Sequence, residues 1–109
     1  GLQPEDFVLK TNTPEWGKTL IKVKTDNEGS KGYNWIGLNL KNPILEDKQV
    51  RLALAHLVNR DLMIEKFRHN MAVKTVGPGL FSEYIPSNLK PIDFDVKRAI
   101  ELLKAAGWS

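Results

Sequence analysis

The chain has 109 residues, enough for one domain, with 41% apolar residues, 27% charged residues and a net charge of +3. No apolar run approaches the roughly 20 residues that a membrane span needs, and the absence of cysteine excludes disulfides, thiolate metal sites and cysteine nucleophiles. Because the basic residues are spread along the chain without interleaved aromatic residues, the charge alone gives little support to nucleic-acid binding.

The N-terminal part of the chain is predicted to contain short helical turns and a β-hairpin. Residues 13–16 (TPEW) are typical of a helix start, since threonine can cap, proline fits the first position and an acid suits the first turn. Residues 20–24 and 33–38 are rich in β-branched and aromatic side chains and flank a glycine-containing turn, a pattern that predicts a hairpin. The alternative is that each run pairs with strands absent from this chain. Residues 42–43 (NP) then break the pattern.

A strand over residues 33–39 would have two different faces, because side chains alternate along a strand. Ile36 and Leu38 would share one face and suit a core. Trp35 and Gly37 would share the other, where a large aromatic residue beside a glycine suits a surface that another molecule approaches closely. The alternative is that Trp35 packs in the chain's own core.

Three amphipathic helices are predicted in the rest of the chain. Asp47, Asn59 and Asp95 each precede a run with apolar residues at helical spacing and are therefore predicted to be N-caps. Gly107 is typical of the residue that follows a helix. Residues 71–91 are predicted to be irregular, and loops of that length are usually functional or held in place. The predicted fold class is α+β, a short β-hairpin with three main amphipathic helices.

No group of residues has the spacing of a catalytic or metal-binding site. His56 and His69 have no acidic partner at ligand spacing, so both are interpreted as packing or surface histidines. Asp93 and Asp95 are explained by helix capping more simply than by acid–base catalysis. The helical arginines are interpreted as surface ion-pair formers: Arg51, Arg60 and Arg98. The sequence therefore predicts no catalytic residue, no metal site and no cofactor.

Several motifs occur in a fixed order: 33–40 (YNWIGLNL), 42–43 (NP), 47–54 (DKQVRLAL), 58–61 (VNRD), 77–78 (GP) and 94–108 (FDVKRAIELLKAAGW). Together they resemble the family 5 extracellular solute-binding proteins, which are the dipeptide, oligopeptide and nickel receptors of ABC importers. The resemblance is looser over residues 1–32. Val96 stands where the family often has proline, a departure that bears on the subfamily more than on the family.

The resemblance implies that this chain is an internal piece of a two-lobed periplasmic binding protein fold. Residues 1–39 would be an inter-lobe or hinge-side segment with the hairpin, and residues 40–109 the helical part of the second lobe. Alternate residues of the crossing strand face the ligand cleft in oligopeptide receptors. The resemblance therefore implies Trp35 and Gly37 as ligand-binding residues, the first as a flat apolar wall and the second as room for a ligand main chain.

The function implied by the resemblance is solute binding, most plainly peptide binding, for an ABC import system, and not catalysis. The partners would be a peptide or similar small solute and the permease subunits, with no nucleic acid, in the periplasm or at the outer face of the cytoplasmic membrane. Peptide, nickel complex, sugar and opine ligands all fit the family. The alternative function is a small basic interaction or nucleic-acid-binding domain. The isolated chain is expected to bind peptides weakly and to be capable of self-association.

Overall fold

A computed structural model describes residues 2–25, 32–77 and 85–108, and over these ranges the regular structure is helical. A π-helical turn and four α-helices occur in chain order: Asp6–Lys10, Pro43–Glu46 (α1), Lys48–Leu57 (α2), Arg60–Arg68 (α3) and Val96–Ala105 (α4). The three predicted amphipathic helices are α2, α3 and α4. None of the described helices combines the length and the hydropathy that crossing a bilayer requires.

All three predicted N-caps are confirmed. Asp47, Asn59 and Asp95 each accept a hydrogen bond from a backbone N–H two or three residues further on, at 2.6, 3.0 and 2.9 Å. These side chains satisfy N–H groups that have no partner inside the helix. The helix α1 begins in the same way, with Asn42 as cap and Pro43 at the first position. The pair interpreted above as a break is therefore a helix start.

The helices α2 and α4 pack against each other around a small core. Ala53 and Ala99 have no exposed surface, and Leu102 is buried beside them. Small side chains at a helix contact allow the two backbones to approach closely, so little apolar volume is needed to fill the space between the helices. The N–H of Asp95 donates to the carbonyl of His56 at 2.9 Å, which fixes the start of α4 against the end of α2.

The end of α4 confirms the predicted role of Gly107. Its φ angle is 86°, in the left-handed region that favours glycine. The N–H groups of Gly107 and Trp108 donate to the carbonyls of Lys104 and Leu103 at 3.0 and 2.9 Å. This is the Schellman arrangement, which satisfies carbonyl groups left free at a helix end.

The molecule is far more open than a folded chain of this length usually is. Its radius of gyration is 18.9 Å, whereas about 13 Å is expected for a compact domain of this size. Its accessible surface is 9234 Å², whereas about 6,100 Å² is expected for a folded protein of this mass. The helix α3 contains no buried residue. Large apolar faces are therefore without a partner in the described part of the chain.

The predicted hairpin, and the α+β class with it, is wrong for the described residues. They contain one isolated β-bridge, between Trp16 and Leu20, and no strand. No backbone hydrogen bond joins residues 21–25 to residues 33–39, and the expected turn at 26–31 lies outside the described residues. The preference of branched and aromatic residues for strands acts through cross-strand packing, and a lone two-stranded hairpin is only marginally stable in water. Both runs therefore lack regular secondary structure and are not paired with each other.

The expected core face of residues 33–39 is also absent. Ile36 is 71% exposed and Leu38 is 37% exposed, so neither belongs to a core in this chain. Trp35 is 74% exposed, which equally overturns the alternative that it packs in the chain's own core. An extended segment that is not part of a sheet has no layer packed on either face, so alternation alone does not decide which face is buried.

Residues 13–16 form a turn rather than the predicted helix start. The N–H of Trp16 donates to the carbonyl of Thr13 at 3.1 Å, and the next turn is closed by bonds to the carbonyl of Glu15. Gly17 follows with a φ angle of 97°, which a right-handed helix cannot contain. The Thr13 side chain hydrogen-bonds the carboxyl of Glu15 and lowers its pKa. The local polar contacts predicted for a helix start thus stabilise a turn instead.

Candidate functional site

The two residues implied as ligand contacts touch each other. A Cβ atom at residue 37 would lie 2.5 Å from Cζ3 of Trp35, far inside the distance at which carbon atoms normally pack. The indole ring therefore lies directly against the backbone of Gly37. Glycine at this position leaves space that the ring occupies, and any larger residue would have to displace it.

Trp35 forms part of the wall of an open concavity of about 1780 Å³. The segment at residues 32–38 forms one part of its lining, α2 and α3 form another, and residues 70–77 form a third. Gly37 itself contributes nothing to the lining. Pockets that enclose small ligands have volumes of roughly 300–1,000 Å³. This surface is larger and open, so it has the geometry of one wall of a cleft.

The apolar sides of α2 and α3 supply most of the remaining wall. The apolar stripe predicted on α2 has two parts. Val50 and Ala53 are buried, whereas Leu54 and Leu57 line the concavity. The large apolar lining residues on the two helices and at the corner between them are Leu54, Leu57, Val58, Met63, Ile64 and Phe67. Helical periodicity identified these side chains correctly, but it does not distinguish a core face from an uncovered face.

Arg60, the first residue of α3, holds two irregular segments next to the helix. Its guanidinium donates to the carbonyl oxygen of Thr75 at 3.3 Å and to that of Ile92. These acceptors lie 15 and 32 residues further along the chain. A guanidinium has five donors in a rigid plane, so one side chain can serve two carbonyl groups. Arg60, Thr75 and Ile92 all line the concavity.

Two further side chains join the same segments. The ring Nδ1 of His56 lies 2.9 Å from the carbonyl oxygen of Asp93, and because a carbonyl only accepts, Nδ1 carries the proton. The Nζ of Lys74 lies 2.9 Å from Oδ2 of Asp61 and 3.5 Å from Oδ1 of Asp93. The hydrogen bond to Asp61 raises the pKa of Lys74. The three fastening side chains are termed the polar clasp: His56, Arg60 and Lys74.

The interpretation of the arginines as surface ion-pair formers is right for one of the three. Arg98 pairs with Glu101 at 3.0 Å on the surface of α4. Arg51 instead donates to the last two carbonyl groups of α1, at 2.9 and 2.7 Å, and Arg60 belongs to the polar clasp. One sequence signal could have identified Arg60, because a cation at the first position of a helix opposes the helix dipole and needs a compensating partner.

The charged side chains that line the concavity, within the part of the chain that is described, are all cationic: Lys24, Arg51, Arg60, Arg68 and Lys74. Three of them are bonded to carbonyl or carboxylate groups of the chain. Lys24 and Arg68 form no ion pair with any described residue. The concavity therefore combines an apolar wall with positive charge at its margin.

The histidines and acidic residues have structural positions. Asp95 caps α4 as predicted, whereas Asp93 caps none of the described helices and instead pairs with Lys74 at 3.5 Å. His69 ends α3 in the left-handed conformation, with a φ angle of 47°. In residues 2–25, 32–77 and 85–108 no three histidine or carboxylate groups lie close enough together to hold a metal ion.

Comparison with known proteins gives one match over nearly the whole chain. The family model described as bacterial extracellular solute-binding proteins, family 5 middle, matches residues 6–109. Putative ABC transporter peptide-binding proteins of Brucella ovis and Brucella abortus are each 29% identical over 75 residues, covering 69% of this chain. An adenylosuccinate synthetase of Lysinibacillus sphaericus is 40% identical over 58 residues, covering 50% of this chain.

These curated relatives are much longer than the chain. The match covers 14% of each Brucella protein and 14% of the synthetase. No solved structure matches the chain. The family model covers about twice as much of the sequence as the synthetase match does, and it agrees with the order of motifs from residue 33 to residue 108.

Proposed function

Because this chain belongs to the bacterial extracellular solute-binding proteins of family 5, we propose that it is a segment of a receptor that delivers peptides to an ABC importer. The observation that carries the proposal is the exposed indole of Trp35 in the wall of an open apolar concavity. The Brucella relatives are described as putative ABC transporter peptide-binding proteins, and this supports a peptide as the ligand.

The proposed mechanism is binding by enclosure, without any covalent step. The indole of Trp35 offers a flat apolar surface of the kind that dominates binding energetics. Gly37 carries no side chain, and the space where one would begin is taken by the Trp35 ring, so its proposed contribution to binding is the room that it leaves for that ring. The rest of the receptor would close over the ligand and exclude water, which strengthens the polar contacts inside.

The segments of the chain have different proposed places in that receptor. Residues 1–39 would form the inter-lobe or hinge-side segment, and residues 40–109 the helical part of the second lobe. The ligand-binding residues are Trp35 and Gly37. The partners would be a peptide or similar small solute and the permease subunits, at the outer face of the cytoplasmic membrane or in the periplasm. The extracellular description of the family supports this location.

Calorimetry can compare ligand binding by the full-length receptor with binding by the isolated 109-residue chain. A micromolar receptor needs about 8 kcal/mol of binding free energy. An open wall lacks both the contacts and the enclosure of a complete cleft, so the isolated chain should bind at about millimolar affinity or weaker. We expect saturable binding of an equimolar mixture of di- to pentaalanine by the full-length receptor and none by the 109-residue chain. Micromolar binding by the isolated chain would mean a complete site of another kind.

The exposed apolar faces suggest one further property of the isolated chain. A contiguous uncovered apolar surface favours association, so the 109-residue chain should form dimers or larger species as its concentration rises. Sedimentation velocity at several concentrations measures this directly. Replacing the exposed Phe67 with serine should shift the distribution toward monomer, whereas a strictly monomeric wild-type chain would contradict the expectation.

A further inference from the structure

The polar clasp joins parts of the chain that are distant in sequence. The corner between α2 and α3 is bonded to residues 74–75 and to residues 92–93, at separations of 13 to 37 residues. The segments that it holds contain no helix or strand. Backbone groups of such segments need partners outside regular structure. Within the described residues, Arg60 is the long-range partner of the Thr75 carbonyl, and Asp61 and Asp93 are the partners of the Lys74 side chain.

None of the residues in these segments belongs to the buried core. The buried core consists of residues on α2 and α4, and no residue between 58 and 95 is in the core cluster. Val73 is 89% exposed, whereas Val76 and Ile92 are half-buried. Hydrogen bonds of the clasp therefore act together with partial burial, and among the described side chains Arg60 is the one that donates to a carbonyl group of each segment.

We propose that Arg60 is a positioning residue of the binding site, which fixes residues 74–77 and Ile92 as parts of the wall of the concavity that contains Trp35. This inference rests on the proposed function for its effect on ligand affinity. A lysine in place of Arg60 keeps the charge but loses the planar set of donors, and its ammonium group would serve one carbonyl in place of two. The released segment would then adopt several positions, so the ligand would have to select one of them.

The experiment uses the full-length receptor with Arg60→Lys, with Arg98→Lys as the matched control on the surface of α4. Hydrogen–deuterium exchange is measured by mass spectrometry on peptides that cover residues 71–77, 91–95 and the α2–α4 core. Calorimetry with the mixture of di- to pentaalanine is run on the same samples. The Arg60→Lys variant should exchange about tenfold faster at residues 71–77 or 91–95 and should bind about tenfold more weakly, the scale of one lost charge-assisted hydrogen bond.

Exchange in the α2–α4 core should stay unchanged in both variants, which separates a positioning effect from a general loss of stability. Unchanged exchange at both held segments in Arg60→Lys would overturn the inference, as would faster exchange with wild-type affinity. Equal effects of Arg60→Lys and Arg98→Lys would also overturn it. If the wild-type receptor binds none of the peptides, the proposed function fails and the effect on affinity fails with it, while the exchange data still decide whether Arg60 holds the two segments.

Discussion

The indole ring of Trp35 occupies the space in which a side chain at residue 37 would begin. The ring is 74% exposed, so the backbone of Gly37 supports one side of it while most of its surface faces solvent. A flat aromatic surface held over a bare stretch of backbone can contact a ligand along its length. The pair therefore works as one unit of the proposed binding wall, and a change at either residue alters the other.

Replacing Gly37 with alanine should move the Trp35 ring. The new Cβ would lie 2.5 Å from Cζ3, and an exposed ring can rotate away, so the free energy of unfolding should change by less than about 0.5 kcal/mol. The indole N–H resonance of Trp35 should shift in an NMR spectrum. Gly77→Ala is the matched control, because nothing lies within 4 Å of a Cβ at residue 77. An unmoved Trp35 resonance in Gly37→Ala would contradict the observed contact.

The capping role of Asp95 predicts a graded stability series. Asp95→Ala removes the acceptor for the N–H of Arg98 and should lower the free energy of unfolding by about 1 kcal/mol. Asp95→Asn keeps an acceptor of similar capping strength and should recover most of that loss. Urea unfolding of the chain measures both variants. Equal destabilisation by alanine and asparagine would show that the carboxylate charge, and not the cap hydrogen bond, is what matters.

The helices could be predicted from sequence because their signals are local. A cap at Asp47, Asn59 or Asp95 acts within three residues, and an apolar stripe repeats within one helix. The same signals also located Gly107 at the end of α4. Only α1 was overlooked, although Asn42 and Pro43 form a cap and first-position pair like those used elsewhere. Short-range physics determines these features, so the sequence was sufficient.

Features that depend on distant parts of the chain could not be predicted in the same way. A strand exists only when a partner is present, and the run at 33–39 has none among the described residues. The contact of Arg60 with Ile92 joins residues 32 apart, and no periodicity encodes it. The exposure of Trp35 likewise depends on which distant residues pack against it, and local sequence patterns do not encode that. The candidate ligand residues came from a resemblance and an unusual residue pair, and their contact came from the structure.

The small core makes Leu102 the most sensitive apolar residue of α4. It is 6% exposed and lies with Ala53 and Ala99, so Leu102→Ala should lower the free energy of unfolding by at least about 2 kcal/mol. Ile100→Ala on the same helix is the control. Because Ile100 is about half exposed, its replacement should lower the free energy of unfolding much less. Thermal unfolding followed by circular dichroism compares the two. Similar losses would mean that the α2–α4 contact is not the main source of stability.

The hydrogen bond to Asp61 raises the pKa of Lys74. This direction predicts how the free energy of unfolding changes with pH. A raised pKa means that the folded state binds the proton more tightly than the unfolded state does. The stabilisation is therefore complete below the ordinary lysine value of 10.5 and is lost as pH rises through the higher folded-state value. Lys74→Met should be less stable than wild type at pH 7, and the difference should shrink above pH 10.5. A difference that grows with pH would contradict this assignment.

The most direct test of the receptor proposal compares three forms of the full-length protein by calorimetry with the mixture of di- to pentaalanine: wild type, Trp35→Ala and Trp108→Ala. Trp108 is half exposed and does not line the concavity, so its replacement controls for the loss of an indole elsewhere. If the Trp35 indole forms part of the wall of a peptide site, the Trp35→Ala variant should bind at least about tenfold more weakly, as expected for a tryptophan at the centre of an interface. The Trp108→Ala variant should bind as wild type does. Wild-type affinity in Trp35→Ala, or no saturable binding by the wild-type receptor, would contradict the account.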